Sequence, residues 1–320
     1  MKDSHKRAIK IAIKVLITVL AYAYVAYKIS TSPDIDEFPN YFSGIDTTQT
    51  IFLISTLLLM PINWLIETWK WQKLVRCVEQ GIGFGKSIKA VMAGVTVGTL
   101  TPNRAGEFAG RILFVSPENR VQASYLTIFG DTGQFCATVI FGIAGLLMIG
   151  TSGNEAISFG MLMTIAAVGG ILAIALYIKF DSIVNALGNT KFVQKRLKKY
   201  VPQCAIEPGL KFSTLALSML RYIVFAFQLY LSLKFFGIDI PAIEAYAAIS
   251  ATYICTYLIP GIAAAELGIR TSFAIAFIGI FTTQETAIAL ASLLIYIVNV
   301  GIPIAVGGIL IIGGKRDSKI

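Results

Sequence analysis

Apolar residues in this chain run in blocks close to 20 residues long, the length an α-helix needs to cross a bilayer. The blocks predict helices over roughly 8–29, 50–68, 121–149, 158–178, 213–236 and 286–312. Two further apolar regions, 87–116 and 243–281, are each broken by a proline-led segment carrying charge. They predict helical hairpins, re-entrant or spanning. Open strands in lipid would leave backbone groups unpaired, and no barrel-like alternation is present. The predicted fold is an all-α polytopic membrane protein of six full spans plus two helical hairpins, one transmembrane domain over 1–320.

Composition points the same way: 56% of residues are hydrophobic and only 14% charged, where a soluble domain carries about a quarter. Mean hydropathy is +0.73. The net charge of +9 would raise nucleic-acid binding in a soluble protein. Here the lysines and arginines gather in a few segments: Lys2 to Lys14, Lys70 to Lys89, Lys179 to Lys211, and Lys315–Arg316. The loop 31–50 has Asp34, Asp36, Glu37 and Asp46 but no lysine or arginine. By the positive-inside rule both termini are cytoplasmic, in a multi-pass protein of the cell membrane. Trp64, Trp69 and Trp71 cluster near the basic exit of the second helix, where amphipathic rings favour the interface. The first apolar block is longer than a signal-peptide core and reads as a retained helix. Cys77, Cys136, Cys204 and Cys255 lack metal-ligand spacing and read as structural, and the single histidine, His5, lies in the charged tail.

Charge parity also predicts an inverted repeat. Helix 50–68, a hairpin and helix 121–149 form one half; helix 213–236, a hairpin and helix 286–312 form the other, in opposite orientation. The halves span about 50–149 and 213–312. Broken helices meeting at the interface of inverted repeats are a transporter architecture, although chance likeness of two short motifs would also produce the pattern.

The candidate chemistry lies in the hairpins. The first carries Thr101, Pro102, Asn103, Arg104, Glu107 and Arg111; the second carries Pro260, Gly261, Glu266 and Arg270. Ionisable groups in hydrocarbon cost roughly 2.5–3.5 kcal/mol each on insertion scales and usually mark a substrate path. Thr101 and Pro102 suit a helix start, whose free N–H groups together with Arg104 would receive an anion such as phosphate. Glu107/Arg111 and Glu266/Arg270 are i,i+4 pairs in the favourable order; they would line a polar cavity, or merely neutralise one another. Asp131 would pair with a motif arginine or be solvated near the interface. Arg221 is read as snorkelling to the basic surface, and Asn299 as interhelical glue. A continuous helix over 260–281 would be about 33 Å long and able to span. No metal cluster, P-loop, nucleophile elbow or dinucleotide fingerprint is present, so no cofactor, no metal and no enzymatic activity are expected.

Thr101-Pro102-x-Arg104-Ala105-Gly106-Glu107 with Arg111, and the later Pro260-Gly261…Glu266, resemble the signature of the lysylphosphatidylglycerol synthase transmembrane-region family, also described as flippase-like membrane proteins. The second stretch has Ala263, Ala264 and Ala265 where that family favours glycines. The resemblance covers about residues 10–312 and implies handling of a membrane lipid with an anionic or aminoacylated headgroup. The bifunctional members add a soluble domain that makes the aminoacylated lipid. This chain ends at Ile320 after its last helix, so aminoacyl transfer is not expected of it. The leading expectation is a lipid transporter or flippase, with Thr101, Pro102, Asn103, Arg104, Glu107, Arg111, Asp131, Glu266 and Arg270 around the headgroup. The alternatives are a membrane enzyme or accessory factor acting on a lipid-linked phosphate, with Glu107 or Asp131 as base, and a partner of a separate lipid-modifying enzyme.

Overall fold

A computed structural model describes residues 16, 19–20, 22–99, 101, 106–150, 159–189, 205–259 and 263–317. Among these the regular structure is helical throughout. In chain order the helices are α1 (22–30), α2 (Thr47–Val75), α3 (Phe84–Thr99), α4 (Glu107–Ile112), α5 (Arg120–Gly150), α6 (Phe159–Ile178), α7 (Phe180–Gly188), α8 (Pro208–Phe235), α9 (Ala242–Leu258), α10 (Ala263–Ile278), α11 (Glu285–Tyr296) and α12 (Ile302–Asp317). A π-helical turn, Ile297–Gly301, joins α11 to α12.

Four stretches are long and apolar enough to cross a membrane: Thr47–Val75, Pro117–Gly150, Pro208–Phe235 and Glu285–Leu310. The pair Val168–Ile178 and Phe180–Gly188, bent by 67°, would be a fifth. The chain is therefore an all-α polytopic membrane protein with four to five candidate spans. Most of the predicted first span, 8–29, lies outside the described residues. The predicted span 158–178 runs on past a bend into α7. In the hairpins, α3, α9 and α10 are 16 or 17 residues long and α4 only six. At 1.5 Å per residue no arm exceeds about 26 Å, short of the roughly 30 Å hydrocarbon layer. Of the two forms left open for 260–281, the described part, α10, stops at Ile278, and 260–262 are outside the described residues.

Local sequence explains the ends of the two central helices. Asp46 and Gln49 form a reciprocal capping box at the start of α2, Gln49 N–H donating to Asp46 Oδ1 at 2.6 Å and Asp46 N–H to Gln49 Oε1 at 3.0 Å. Pro208 opens α8 at a position where its missing N–H costs nothing. Gly237, at φ 80°, closes α8, and Ile238 N–H reaches back to Leu233 O at 3.0 Å, the six-to-one bond of a Schellman stop.

α2 and α8 run antiparallel along their whole length. Gln49 Nε2 donates to Phe235 O (3.2 Å), Gln228 Nε2 to Thr56 O (3.0 Å), and Arg221 pairs with Glu67 (3.3 Å), which sets the register. On one flank α3 packs against α12, where Thr96 Oγ1 donates to Ile304 O at 3.2 Å and Gly307 lies against the Met92 carbonyl. On the other flank α5 packs against α9, and a Cβ at Gly145 would lie 2.5 Å from Ala247 O. Lipid tails are as apolar as leucine, so close approach at small residues supplies the attraction that water would otherwise drive.

The acidic loop before α2 is itself structured, with a 3₁₀ helix over Ile35–Phe42. Gln284 precedes α11 without a side-chain cap bond. Asp34, some 250 residues earlier, does that work: its buried carboxylate accepts Thr286 N–H (3.2 Å) and Ala287 N–H (3.1 Å), Tyr41 OH (2.7 Å) and the Ser32 hydroxyl. Lys28 pairs with Glu285 at 2.6 Å beside it. Burial pushes the Asp34 carboxyl up, but these accepted bonds outweigh it and hold the group below its ordinary value. A depressed carboxyl stabilises the fold fully above its unfolded value, about 3.9, and loses that contribution as pH falls through the folded one. The melting midpoint in detergent should therefore fall below about pH 4, and Asp34→Ala should melt lower at pH 7 by about 1–3 kcal/mol. An Asp34→Ala protein as stable as wild type at neutral pH would show that the latch contributes nothing.

Candidate functional site

The first hairpin closes tightly because glycines face each other across it. A Cβ on Gly94 would lie 2.6 Å from Arg111 Cγ, and one on Gly110 2.6 Å from Ala93 O. Thr101 ties the connection: its hydroxyl donates to Gly98 O at 2.9 Å and accepts Gly106 N–H at 2.6 Å. The described helix begins at Glu107 after Gly106, and Thr101 braces the connection before it. Pro102, Asn103 and Arg104, on which the expectation of a helix start at Pro102 rests, lie outside the described residues.

Short as it is, α4 carries Glu107 and Arg111 on one face, and the two pair as their spacing predicts. The surprise is their partner. Arg111 also binds Glu67 of α2 at 2.9 Å; Glu67 takes Lys70 at 2.8 Å and Arg221 of α8 at 3.3 Å. Side-chain exposure is 1% for Glu67, 1% for Lys70 and 2% for Arg111, against 20% for Arg221. One carboxylate thus gathers three cations. Lys70 Nζ also donates to Gly130 O (3.3 Å) and Arg221 to Gln134 Oε1 (3.3 Å), which draws α5 in. Asp131 lies in the same field, within electrostatic reach of Glu107, Arg111, Glu67 and Lys70. It makes no hydrogen bond or ion pair among the described residues.

Three expectations are corrected here. Lys70 is not part of a solvated exit but one of the most deeply buried side chains. Trp64 and Trp71 are also buried, Trp71 Nε1 donating to Thr127 Oγ1 at 2.9 Å; of the three tryptophans only Trp69 faces outward. Arg221 does not snorkel, because Glu67, Gln134 and the Trp64 ring, 5.2 Å from its guanidinium, hold it in the bundle. Along the helices, Glu67 is roughly 12 Å from Val75, Asp131 roughly 16 Å from Arg120 and Arg221 roughly 20 Å from Pro208. The cluster is thus inside the spanning segments.

In the second hairpin Glu266 and Arg270 pair at 2.6 Å. The Arg270 guanidinium is clasped between the rings of Phe225 (5.5 Å) and Tyr296 (6.0 Å), contributed by α8 and α11. Its Nε and Nη1 have no hydrogen-bond partner among the described residues, nor do Arg221 Nε and Arg111 Nε. Phe225 is one turn from Arg221 on α8, so both motifs meet the same stretch of that helix. Asn299, in the π turn, accepts from Asn63 Nδ2 at 3.1 Å, as an interhelical amide should. An apolar groove of about 460 Å³ opens on the outward flank of α2, lined by Ile62, Leu65, Ile66, Trp69, Gln72 and Phe84. Cys136 and Cys255 are free thiols, and the described residues offer no cluster of histidine, cysteine and carboxylates arranged for a metal.

The sequence resemblance to a membrane-region family is borne out by the family comparison. Residues 11–307 match the family described as lysylphosphatidylglycerol synthase TM region. The chain belongs to this family. Membership makes it a flippase-like, non-catalytic membrane protein consistent with lipid transport, the family being the membrane region as distinct from any catalytic domain. No curated protein and no solved structure matches the chain.

Proposed function

We propose that this protein moves a phospholipid with an anionic headgroup between leaflets, the phosphate being received by Arg221 of α8 and by Arg270, which packs against that helix one turn further on, with Arg111 behind them. One observation carries the reading: the first motif, through Glu67, and the second, through Phe225, meet one turn of α8, with guanidinium donors that have no partner among the described residues. A buried cationic donor without an acceptor is costly, and a phosphate oxygen is its natural complement. Stability does not account for the cluster. Each buried ion loses several kcal/mol of solvation, and apolar residues of similar volume would often serve as well or better. Of the motif residues Thr101, Pro102, Asn103 and Arg104, the Asn103 amide and the Arg104 guanidinium would add donors, while Pro102 has no N–H to offer. Glu107, Asp131 and Glu266 would balance the charge while the site is empty. Acyl tails would stay in lipid, along the groove beside Trp69.

The inverted-repeat reading has support from the packing. Exchanging the halves 50–149 and 213–312 maps α2 onto α8, which pack on each other. It also maps the α3–α12 contact onto the α9–α5 contact. Two such halves can rock about α2 and α8 and open the site to each side in turn. The distribution of lysine and arginine favours cytoplasmic termini. The test is reconstitution of the purified chain in liposomes with headgroup-labelled phosphatidylglycerol. Labelled lipid should change leaflet faster than in protein-free liposomes and be recovered chemically unaltered. Exchange no faster than in protein-free liposomes would overturn the proposal, and recovery of a modified lipid would favour the enzyme alternative.

A further inference from the structure

We infer that Asp131 is a proton-binding site linked to the anion site, so that headgroup binding and protonation of Asp131 favour one another. The inference rests on the lipid-anion reading above and adds a coupling ion to it. Its basis is the charge count and partnering of the cluster. Lys70, Arg111 and Arg221 supply three positive charges; Glu67, Glu107 and Asp131 supply three negative ones. Glu67 and Glu107 are engaged in ion pairs. Asp131 is the carboxylate that no described residue bonds, and it is partly exposed where Glu67 is buried. It is the acid that can take up a proton without breaking a pair.

The groups facing it come from every element packed on its part of α5. α2 contributes Glu67 and Lys70, and α4 contributes Glu107 and Arg111. α8 contributes Arg221 through Gln134, about one turn away. α6 brings Tyr177 onto Phe129, and α9 brings Tyr257 to Phe135. Among the described residues these six charges sum to zero, and an entering phosphate tips the balance negative. One proton on Asp131, giving the neutral acid, restores balance with no other bond made or broken. By linkage the same free energy appears both ways: lipid raises the proton affinity of Asp131, and protonation raises the affinity for lipid.

The experiment titrates a short-chain phosphatidylglycerol onto the purified full chain in detergent between pH 5 and 9. Wild-type affinity should rise as pH falls, approaching tenfold per pH unit at its steepest for a single linked proton. Asp131→Asn should flatten that slope, whereas Asp239→Asn, at an exposed carboxylate beyond the end of α8 that pairs with Lys234, should retain it. An unchanged slope in Asp131→Asn overturns the inference and leaves the lipid reading standing. Failure of wild type to bind at any pH removes both. Should Asp131→Asn not fold, lipid added to wild type in weak buffer decides the matter: uptake approaching one proton per bound lipid supports the site, and no uptake overturns it.

Discussion

Glu67→Ala should lower the stability of the purified protein by about 3–5 kcal/mol, the cost of breaking a buried ion pair by removing one partner. The expected loss is at the upper end because Glu67 serves three cations. Without it Lys70, Arg111 and Arg221 face one another in a low-dielectric interior, with Glu107 beside only one of them and Asp131 unpaired. The loss should appear as a fall in melting midpoint in detergent, with aggregation on size exclusion in the severe case. Glu67→Gln preserves shape and removes charge, so it should fall nearly as far. A second substitution separates charge from packing: Lys70→Met added to Glu67→Ala removes one stranded cation and should recover part of the loss, a coupling that independent sites would not show. A Glu67→Ala protein that melts like wild type would mean that water reaches the cluster freely.

Glu67 was also the residue hardest to find in the sequence. The helices were legible: apolar blocks placed α2, α5, α8 and the final helix to within a few residues of most of their ends, and i,i+4 spacing anticipated both intramotif pairs. Depth was not legible. Lys70 and Trp71 stand beside Lys73 and Arg76, so composition grouped them with the basic exit, whereas the long α2 carries them inside the bundle. A signal was present nonetheless. Gln49, Thr56, Asn63 and Lys70 recur every seven residues, nearly two turns, and so draw one polar line along α2. That line meets Phe235, Gln228, Asn299 and the Glu67 cluster in turn. The Asp34 latch was legible only as an acidic loop, because a cap supplied across some 250 residues leaves no local pattern.

Arg270 is where transport should be lost with comparatively little stability lost. Arg270→Ala should slow leaflet exchange of labelled phosphatidylglycerol by about 10–100-fold, which corresponds to the loss of one charge-assisted hydrogen bond at about 1.5–3 kcal/mol. Its partner Glu266 is partly exposed, at 22%, so stranding it costs less than stranding the cations around Glu67. Arg270→Lys discriminates between charge and shape. Lysine keeps the positive charge but is a point donor. It cannot hold a planar face between Phe225 and Tyr296 while offering two N–H groups in one plane to an oxyanion. If the clasped guanidinium orients the headgroup, Arg270→Lys should behave much more like Arg270→Ala than like wild type, at a melting midpoint close to that of the parent. Full activity in Arg270→Lys would reduce the site to a local positive potential. Full activity in Arg270→Ala would take the second hairpin out of the path, leaving headgroup recognition to Arg111 and Arg221 at the first.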